Sequence, residues 1–324
     1  MATAVVYLDG DPVREGALEA VTLARQVGDV VAVSARDAQA LGEEAVQTLG
    51  RYGVTRLIHL ETGGVALEAP AAVGQALADA ATQLDATAVL LTSTFGTKEI
   101  AAHTAHHLRA GLLVDVGDLR LHEGHLAGSK RAFGGTWDTS CAVTTDRGVA
   151  TVRPNAVPSQ EVDAPANVET GDLTVTAQVP AGLELVSRQE HTADGEARPA
   201  LAEAAIVVAA GRGTFGDFDP VHELADVLGA AVGTTRDCVD EGWLPHDAQV
   251  GQTGVTVAPR LYIGAGISGA PHHIGGMSAS QTIVAVNIDA EAPLVEMADF
   301  AVVGDLASVL TDAAEAIREH RAQS

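Results

Sequence analysis

Short apolar runs alternate with helical segments along the first 110 residues, and this alternation constrains the fold more than any other feature of the chain. Residues 4–8, 30–34, 56–60 and 88–92 read as strands built mainly from Val, Leu, Ile and Ala. Segments 16–26, 38–49, 70–83 and 98–108 have helical spacing, with Pro70 tolerated in a first turn. Repeated strand–helix units imply parallel pairing through right-handed crossovers. Residues 112–116 and the segment up to 152 read as shorter strands with Gly turns, GHLAG and AFGGTW. They predict an antiparallel edge added to that sheet. Prolines and acids accumulate from 153 to 199, although 173–179 and 183–185 still read as strands. A second α/β pattern follows: strand 205–210, helix 220–228, strands 261–263, 282–287 and 300–303, and a helix from Leu306.

The polar stretch EHTADGEARP, 190–199, is the weakest part of the chain and is where a domain boundary is expected. The expected division is an N-terminal parallel-sheet α/β domain over 1–190, a linker over 191–199 and a Rossmann-like domain over 200–324. A length of 324 residues also favours two cores over one. Aromatics are only 3% of a chain that is 47% hydrophobic, so aliphatic residues must fill those cores.

Charge excludes one large class of function. With 43 acidic and 19 basic residues the net charge is −24, which repels a phosphate backbone, so no nucleic-acid partner is expected. Only Lys98 and Lys130 are lysines; a Lys-poor, acid-rich surface suits a high-salt, halophilic cytoplasm. Cys141 and Cys238 are too few for a disulfide framework and read as small packing residues. No apolar run reaches the ~18–20 residues that span a bilayer. The opening MATAVVYLDGD enters a strand at once and resembles neither a signal peptide nor a transit peptide. The expectation is a soluble cytoplasmic protein from a prokaryote.

Four constellations could carry chemistry. Gly264-Ala265-Gly266-Ile267-Ser268-Gly269 follows the strand LYI and satisfies G-x-G-x-x-G, with Asp289 20 residues past Gly269. Taken literally this is a dinucleotide fingerprint. Pro271, Gly275 and Gly276 interrupt the region of the usual crossover helix, and about 12 residues separate the motif from the next strand. A short helix fits better there than a full crossover. The loop Gln249-Val250-Gly251-Gln252-Thr253-Gly254 is rich in hydrogen-bonding side chains; a simple turn is the competing reading. Gly211-Arg212-Gly213 ends an apolar strand, where an Arg can meet a phosphate at the sheet crevice; a solvated loop Arg is the competing reading. His272-His273 invites a metal, but adjacent residues rarely ligate one ion together. His103 and His107 stand at i, i+4 with His106 beside them, without the Glu of an HExxH motif.

Together these pieces closely resemble the alpha subunit of the electron transfer flavoproteins. The match runs from the GRG turn through Ala230–Arg236 (AAVGTTR), DEGWLPHDAQVGQTG and APRLYIGAGISGAPHHIGGM to TIVAVNIDAEAPLVEMADFAVVGDL. The family pattern LYI-x-x-GISGA-x-x-H-x-x-G followed by AIN-x-D-x-x-AP is long and specific. The N-terminal half matches more loosely, through its α/β order and the segments RAFGG and TVRPNAV.

The resemblance implies a C-terminal FAD-binding domain and a role for each matched position. Arg212 and the loop of Val250, Gly251, Gln252 and Thr253 would hold FAD, with Gln249 alongside. Thr235 stands where the family usually has Ser and keeps the hydroxyl, and Arg236 would lie over the isoalloxazine. Ser268, Gly269, Ala270 and His273 would line the flavin and its phosphates. Asn287, Asp305 and Leu306 would contact the adenosine side. Pro271 and His272 depart from the pattern, which usually has an aliphatic residue and Gln there. Positive charge and donors near the pyrimidine end stabilise the negative charge that reduction brings to the ring, and Arg236 and His273 would supply them. His273 would then gain a proton on reduction, giving a pH-dependent potential.

The resemblance further implies an electron carrier without substrate turnover of its own. Its partner would be the beta subunit, which carries AMP or, in bifurcating types, a second FAD. Electrons would arrive from acyl-CoA or related dehydrogenases, as in fatty acid beta-oxidation, and leave to a quinone oxidoreductase. Two rivals stand beside it. One is an NAD-dependent Rossmann dehydrogenase, from GAGISG alone. The other is a nucleotide-binding regulatory protein, suggested by an N-terminal half that has neither a P-loop nor G-x-G-x-x-G.

Overall fold

The structure, a computed structural model, describes residues 2–10, 13–35, 41–63, 69–133, 137–184, 186–187 and 198–323. The chain divides into two compact units: Met1–Lys130 with Asp138–Glu190, and Arg131–Trp137 with His191–Ser324. The stretch expected to join two domains lies almost wholly outside the described residues.

The first unit alternates β1 (Thr3–Leu8), α1 (Glu15–Ala24), β2 (Asp29–Ser34), α2 (Glu43–Arg51), β3 (Arg56–Glu61), α3 (Pro70–Gln83), β4 (Ala86–Thr92) and α4 (Phe95–Leu108). It continues with β5 (Gly111–Val116), β6 (Arg120–His122), β7 (His125–Ala132), β8 (Trp137–Ala142), β9 (Gly148–Val152) and β10 (Glu169–Thr174). Seven strands form one sheet in the order β10-β3-β2-β1-β4-β9-β5, and each pairing is parallel. The strand period of two puts Ala4, Val6 and Leu8 on one face with α1 and α2, and Val5 and Tyr7 on the other with α3 and α4. Both faces are therefore covered, as a parallel sheet requires.

The expected antiparallel edge is corrected in one respect. β6, β7 and β8 form a separate three-stranded sheet, with β6 and β7 antiparallel, and do not extend the main sheet. β9 instead inserts in parallel between β4 and β5. Composition explains the sorting: all of GVATV in β9 is buried, while RLH in β6 is exposed throughout. The strand expected over 173–179 lies at Glu169–Thr174 and stops where its partner β3 ends, at the pair Thr174–Glu61. Leu183 and Glu184, expected as strand, belong to none, and Leu185 is outside the described residues. α4 begins earlier than its apolar spacing suggests because Thr94 caps it, with Thr94 and Thr97 exchanging side-chain and backbone hydrogen bonds.

The second unit is built from β11 (Ile206–Ala210), α5 (Asp219–Leu228), β12 (Ala231–Thr234), α6 (Arg236–Asp240), β13 (Leu261–Ala265) and α7 (Pro271–Met277). β14 (Thr282–Asn287), α8 (Pro293–Met297), β15 (Phe300–Val303) and α9 (Leu306–Gln323) complete it. Its sheet has the order β12-β11-β13-β14-β15, parallel throughout. The chain steps from β11 to one side and then continues on the other, so the order reverses between β11 and β13. Open α/β sheets form their ligand crevice at such a point, outside the carboxyl ends of the strands. Val208 and Ala210 pack under α5 and α9, and Arg318 joins these two helices through Glu223 at 2.6 Å. Among the described residues no helix is long and apolar enough to cross a membrane.

Candidate functional site

At the point of strand reversal two turns meet backbone to backbone. The turn leaving β11 and the turn leaving β13 are hydrogen-bonded to each other, Gly211 N–H to Ala265 O at 3.0 Å and Gly213 N–H to Gly266 O at 3.3 Å. A Cβ on Gly211 would lie 2.5 Å from the Gly266 carbonyl oxygen, and one on Gly213 2.8 Å from the Gly266 Cα. Gly266 itself has φ +60, which L side chains resist. The glycines thus let two backbones cross with no side chain between them. Leu306, expected on the adenosine side, is buried beneath this crossing: a Cβ on Gly266 would meet its Cδ2 at 2.7 Å.

Arg212, Arg236, Ser268 and His272 are exposed on the segments that follow β11, β12 and β13. Arg212 stands in a single 3-10 turn, Arg212–Thr214, with 70% of its side chain exposed and Nε 3.3 Å from Asp237 Oδ2. Arg236 opens α6, is 69% exposed and pairs with Asp240 at 3.3 Å. Exposed pairs of this kind are weak, so both guanidiniums are free to reorient toward an anion. Thr235 Oγ1 lies 3.5 Å from the sulfur of Cys238, itself a buried core residue. Ser268, Ala270, Pro271 and His272 are exposed along the turn after β13. Gly269 has φ +93, and a Cβ there would lie 2.5 Å from Leu294 N.

The loop after β12 is held against the same edge. Val250 N–H donates to Thr234 O at 2.9 Å, which fastens the loop to the end of β12. The Gln249 amide donates to Thr253 Oγ1 at 2.9 Å, and Gln252 N–H donates to His272 O at 3.0 Å. Gln252 and Thr253 are exposed, whereas the side chains of Gln249 and Val250 are buried. Asn287 Nδ2 donates to Ile267 O at 2.9 Å, and its Oδ1 accepts from Asp289 N–H at 3.1 Å. Asp305 Oδ2 accepts from Ser308 N–H at 3.0 Å, so this carboxylate caps α9. The polar atoms of Asn287 and the Asp305 carboxylate thus make hydrogen bonds at the turns after β13, β14 and β15.

His273, by contrast with its neighbours in this turn, is an interior residue. It is 6% exposed, in the first turn of α7, and its Nε2 lies 2.7 Å from the Tyr262 hydroxyl. Burial pulls its pKa from 6.5 down to about 4, while the nearby Val250 backbone acts in the opposite sense. Its surroundings in this structure therefore favour the neutral ring. Tyr262, fully buried on β13, was not singled out by its position in LYI, and neither were Asp237 and Asp240, the acids facing the two arginines. A polar aromatic in an otherwise aliphatic strand, and an acid four residues after Arg236, were the available signals.

His103 Nε2 faces Glu99 at 3.9 Å, and the rings of His106 and His107 meet edge-on at 5.5 Å between centroids. Among the described residues no group of three or more His, Cys, Asp or Glu side chains could hold a metal ion.

Comparison with known proteins agrees with the geometry on both units. Residues 200–278 match the family model described as the electron transfer flavoprotein FAD-binding domain, and residues 5–178 match the electron transfer flavoprotein domain. The electron transfer flavoprotein subunit alpha of Mycobacterium leprae (strain TN) is 40% identical over 299 residues, covering 88% of this chain and 92% of the relative. The protein of the same name from Syntrophomonas wolfei is 34% identical over 312 residues, covering 93% and 94%. That of Bacillus subtilis (strain 168) is 33% identical over 310 residues, covering 93% and 92%. With both units matched, and with relatives aligned over nearly their full length, the chain belongs to the electron transfer flavoprotein alpha-subunit family.

Proposed function

We propose that the second unit of this chain binds one FAD at the carboxyl edge of its five-stranded sheet and serves as an electron carrier. The close crossing of Gly211, Gly213 and Gly266 at the point of strand reversal carries this reading, because it leaves backbone without side chains at the carboxyl ends of β11 and β13, with exposed arginines on the segments after β11 and β12. The donor set suits the group: cations for phosphates and reduced ring, hydroxyls for ring heteroatoms, and a buried His273 Nδ1 that makes no hydrogen bond of good geometry among the described residues, with the Val250 backbone beside it. FAD, when bound, supplies the electron-transfer chemistry. Arg212 and the exposed Ser268 would hold phosphate oxygens, Arg236 would offset negative charge at the ring, and Thr253 would donate to a ring nitrogen. The turns at Asn287 and Asp305 would support the adenosine side. No nucleophile–base pair is needed for this role.

The wider role follows the family name. The chain would pair with a beta subunit, accept electrons from acyl-CoA or related dehydrogenases and pass them to a quinone oxidoreductase, in the cytoplasm. Co-purification with the beta subunit, followed by a flavin count per heterodimer, tests the proposal. One flavin identifies the simple carrier and two the bifurcating form. A colourless heterodimer that takes up no FAD overturns the reading.

A further inference from the structure

Tyr262 and His273 are both inside the protein, 0% and 6% exposed, on different elements, β13 and α7. Their rings are 6.2 Å apart between centroids and inclined at 59°, and the hydroxyl reaches Nε2 at 2.7 Å. Burial pushes the phenol pKa far above its ordinary value, so the hydroxyl keeps its proton. A neutral imidazole can meet this hydroxyl in two ways. Either Tyr262 O–H donates to a bare Nε2 and the ring proton sits on Nδ1, or Nε2–H donates to the phenol oxygen and Nδ1 is bare.

The other side of the ring decides. His273 Nδ1 is buried and makes no hydrogen bond of good geometry. The Val250 backbone beside it favours the protonated ring. The Val250 N–H is already given to Thr234 O at 2.9 Å, which leaves its carbonyl as the Val250 group able to meet a ring N–H. A carbonyl oxygen accommodates an N–H and opposes a bare nitrogen lone pair. The second arrangement would also strand the Tyr262 O–H in the core, where His273 is its one hydrogen-bond partner among the described residues.

We infer that Tyr262 is a positioning residue for the FAD site: its O–H holds His273 in the Nδ1–H tautomer, against the loop of Val250, Gly251, Gln252 and Thr253, where a Cβ on Gly251 would lie 3.8 Å from the His273 Cα. The functional part of this inference rests on the FAD reading above. Two further features join the same segments, the hydrogen bond from Gln252 N–H to His272 O and the close approach of Gly276 to Gly251. Tyr262 thus supports a loop it does not itself belong to, through a histidine whose proton it places.

The test uses the full-length chain with 15N-labelled histidine at neutral pH. Long-range nitrogen–proton correlation spectra distinguish protonated from bare ring nitrogens, and the signals missing in His273→Gln are those of His273. The expected parent spectrum has a protonated Nδ1 and a bare, hydrogen-bonded Nε2; a protonated Nε2 in the parent overturns the inference without any need for a variant. In Tyr262→Phe, which removes one oxygen, the Nε2 signal should lose its hydrogen-bond shift and FAD should dissociate at least fivefold more readily. If the tautomer is as expected and Tyr262→Phe binds FAD as tightly as the parent, the positioning role is overturned. If the parent binds no FAD at all, the flavin reading fails on its own, while the spectrum still supports or overturns the tautomer.

Discussion

Gly276 of α7 and Gly251 of the neighbouring loop approach so closely that a Cβ on Gly276 would lie 2.4 Å from the Gly251 Cα and 2.6 Å from its nitrogen. Backbone cannot swing aside as a side chain can. Gly276→Ala should therefore displace the loop and destabilise the protein by about 2 kcal/mol or more, outweighing the ~1 kcal/mol that Ala gains over Gly in a helix. At Gly275 the nearest atom is the end of the flexible Gln252 side chain, at 2.8 Å. Gly275→Ala should stay within ~1 kcal/mol of the parent. Urea denaturation of the two variants checks the contrast; equal losses would mean that the contact with Gly251 is not what limits this helix.

Arg236 should tune the flavin's potential. Its guanidinium is 69% exposed and pairs with Asp240, so its effect on a flavin ring bound beside it would be screened. Loss of a cation disfavours the reduced, more negative ring. Arg236→Ala should lower the midpoint potential by the equivalent of ~1 kcal/mol, about 40 mV for one electron. Asp240→Asn removes the competing acid and should raise the potential by a smaller amount. Spectroelectrochemistry of both variants reads the two signs, and a shift in the same direction for both would remove the pair from the ring's surroundings.

Asp305 separates a structural from a ligand role. Its carboxylate accepts from Ser308 N–H at the start of α9. Asp305→Ala should cost about 1 kcal/mol of stability, and Asp305→Ser should restore most of it, since Ser caps nearly as well. Thermal unfolding measures the cap, and FAD dissociation measures the other role. Full recovery of both in the Ser variant assigns the residue to the cap; recovery of stability alone leaves a contact between the carboxylate and the ligand.

How much could be read in advance depended on how local the cause was. The bounds of α3, β14 and β15 follow from periodicity and punctuation within each segment, and the sequence-based limits coincide with the observed ones. β9 is a pairing choice: nothing within GVATV says that it will slot between β4 and β5 rather than follow its neighbours. The end of β10 is set by β3, a strand more than 100 residues earlier in the chain. In the site, the glycines of the strand-end turns were legible because close backbone approach needs them locally. The burial of Gln249 and His273 was not, because it depends on α7 folding back over the loop. The link from Tyr262 to His273 joins a strand to a helix and obeys no spacing rule.

The buried state of His273 should appear as a pH dependence of stability. Its pKa is about 4 in the folded chain and 6.5 as an ordinary histidine. The native state therefore holds the neutral ring, and unfolding below pH ~6.5 takes up a proton that folding excludes. The histidine's stabilising effect is complete above about pH 6.5, falls as the pH drops toward 4 and is lost below that, a swing of about 3 kcal/mol at most. His273→Gln removes the titration while keeping a side chain that can meet Tyr262. Between pH 6.5 and 4.5 the variant's unfolding free energy should therefore fall less steeply than the parent's, by about 1 kcal/mol per pH unit. Denaturation series at several pH values give the difference in slope directly. Carboxylates that titrate in both proteins cancel in that difference. Parallel curves would show that His273 takes up its proton equally well in the folded and unfolded chains, and that its burial is too loose to hold a single tautomer.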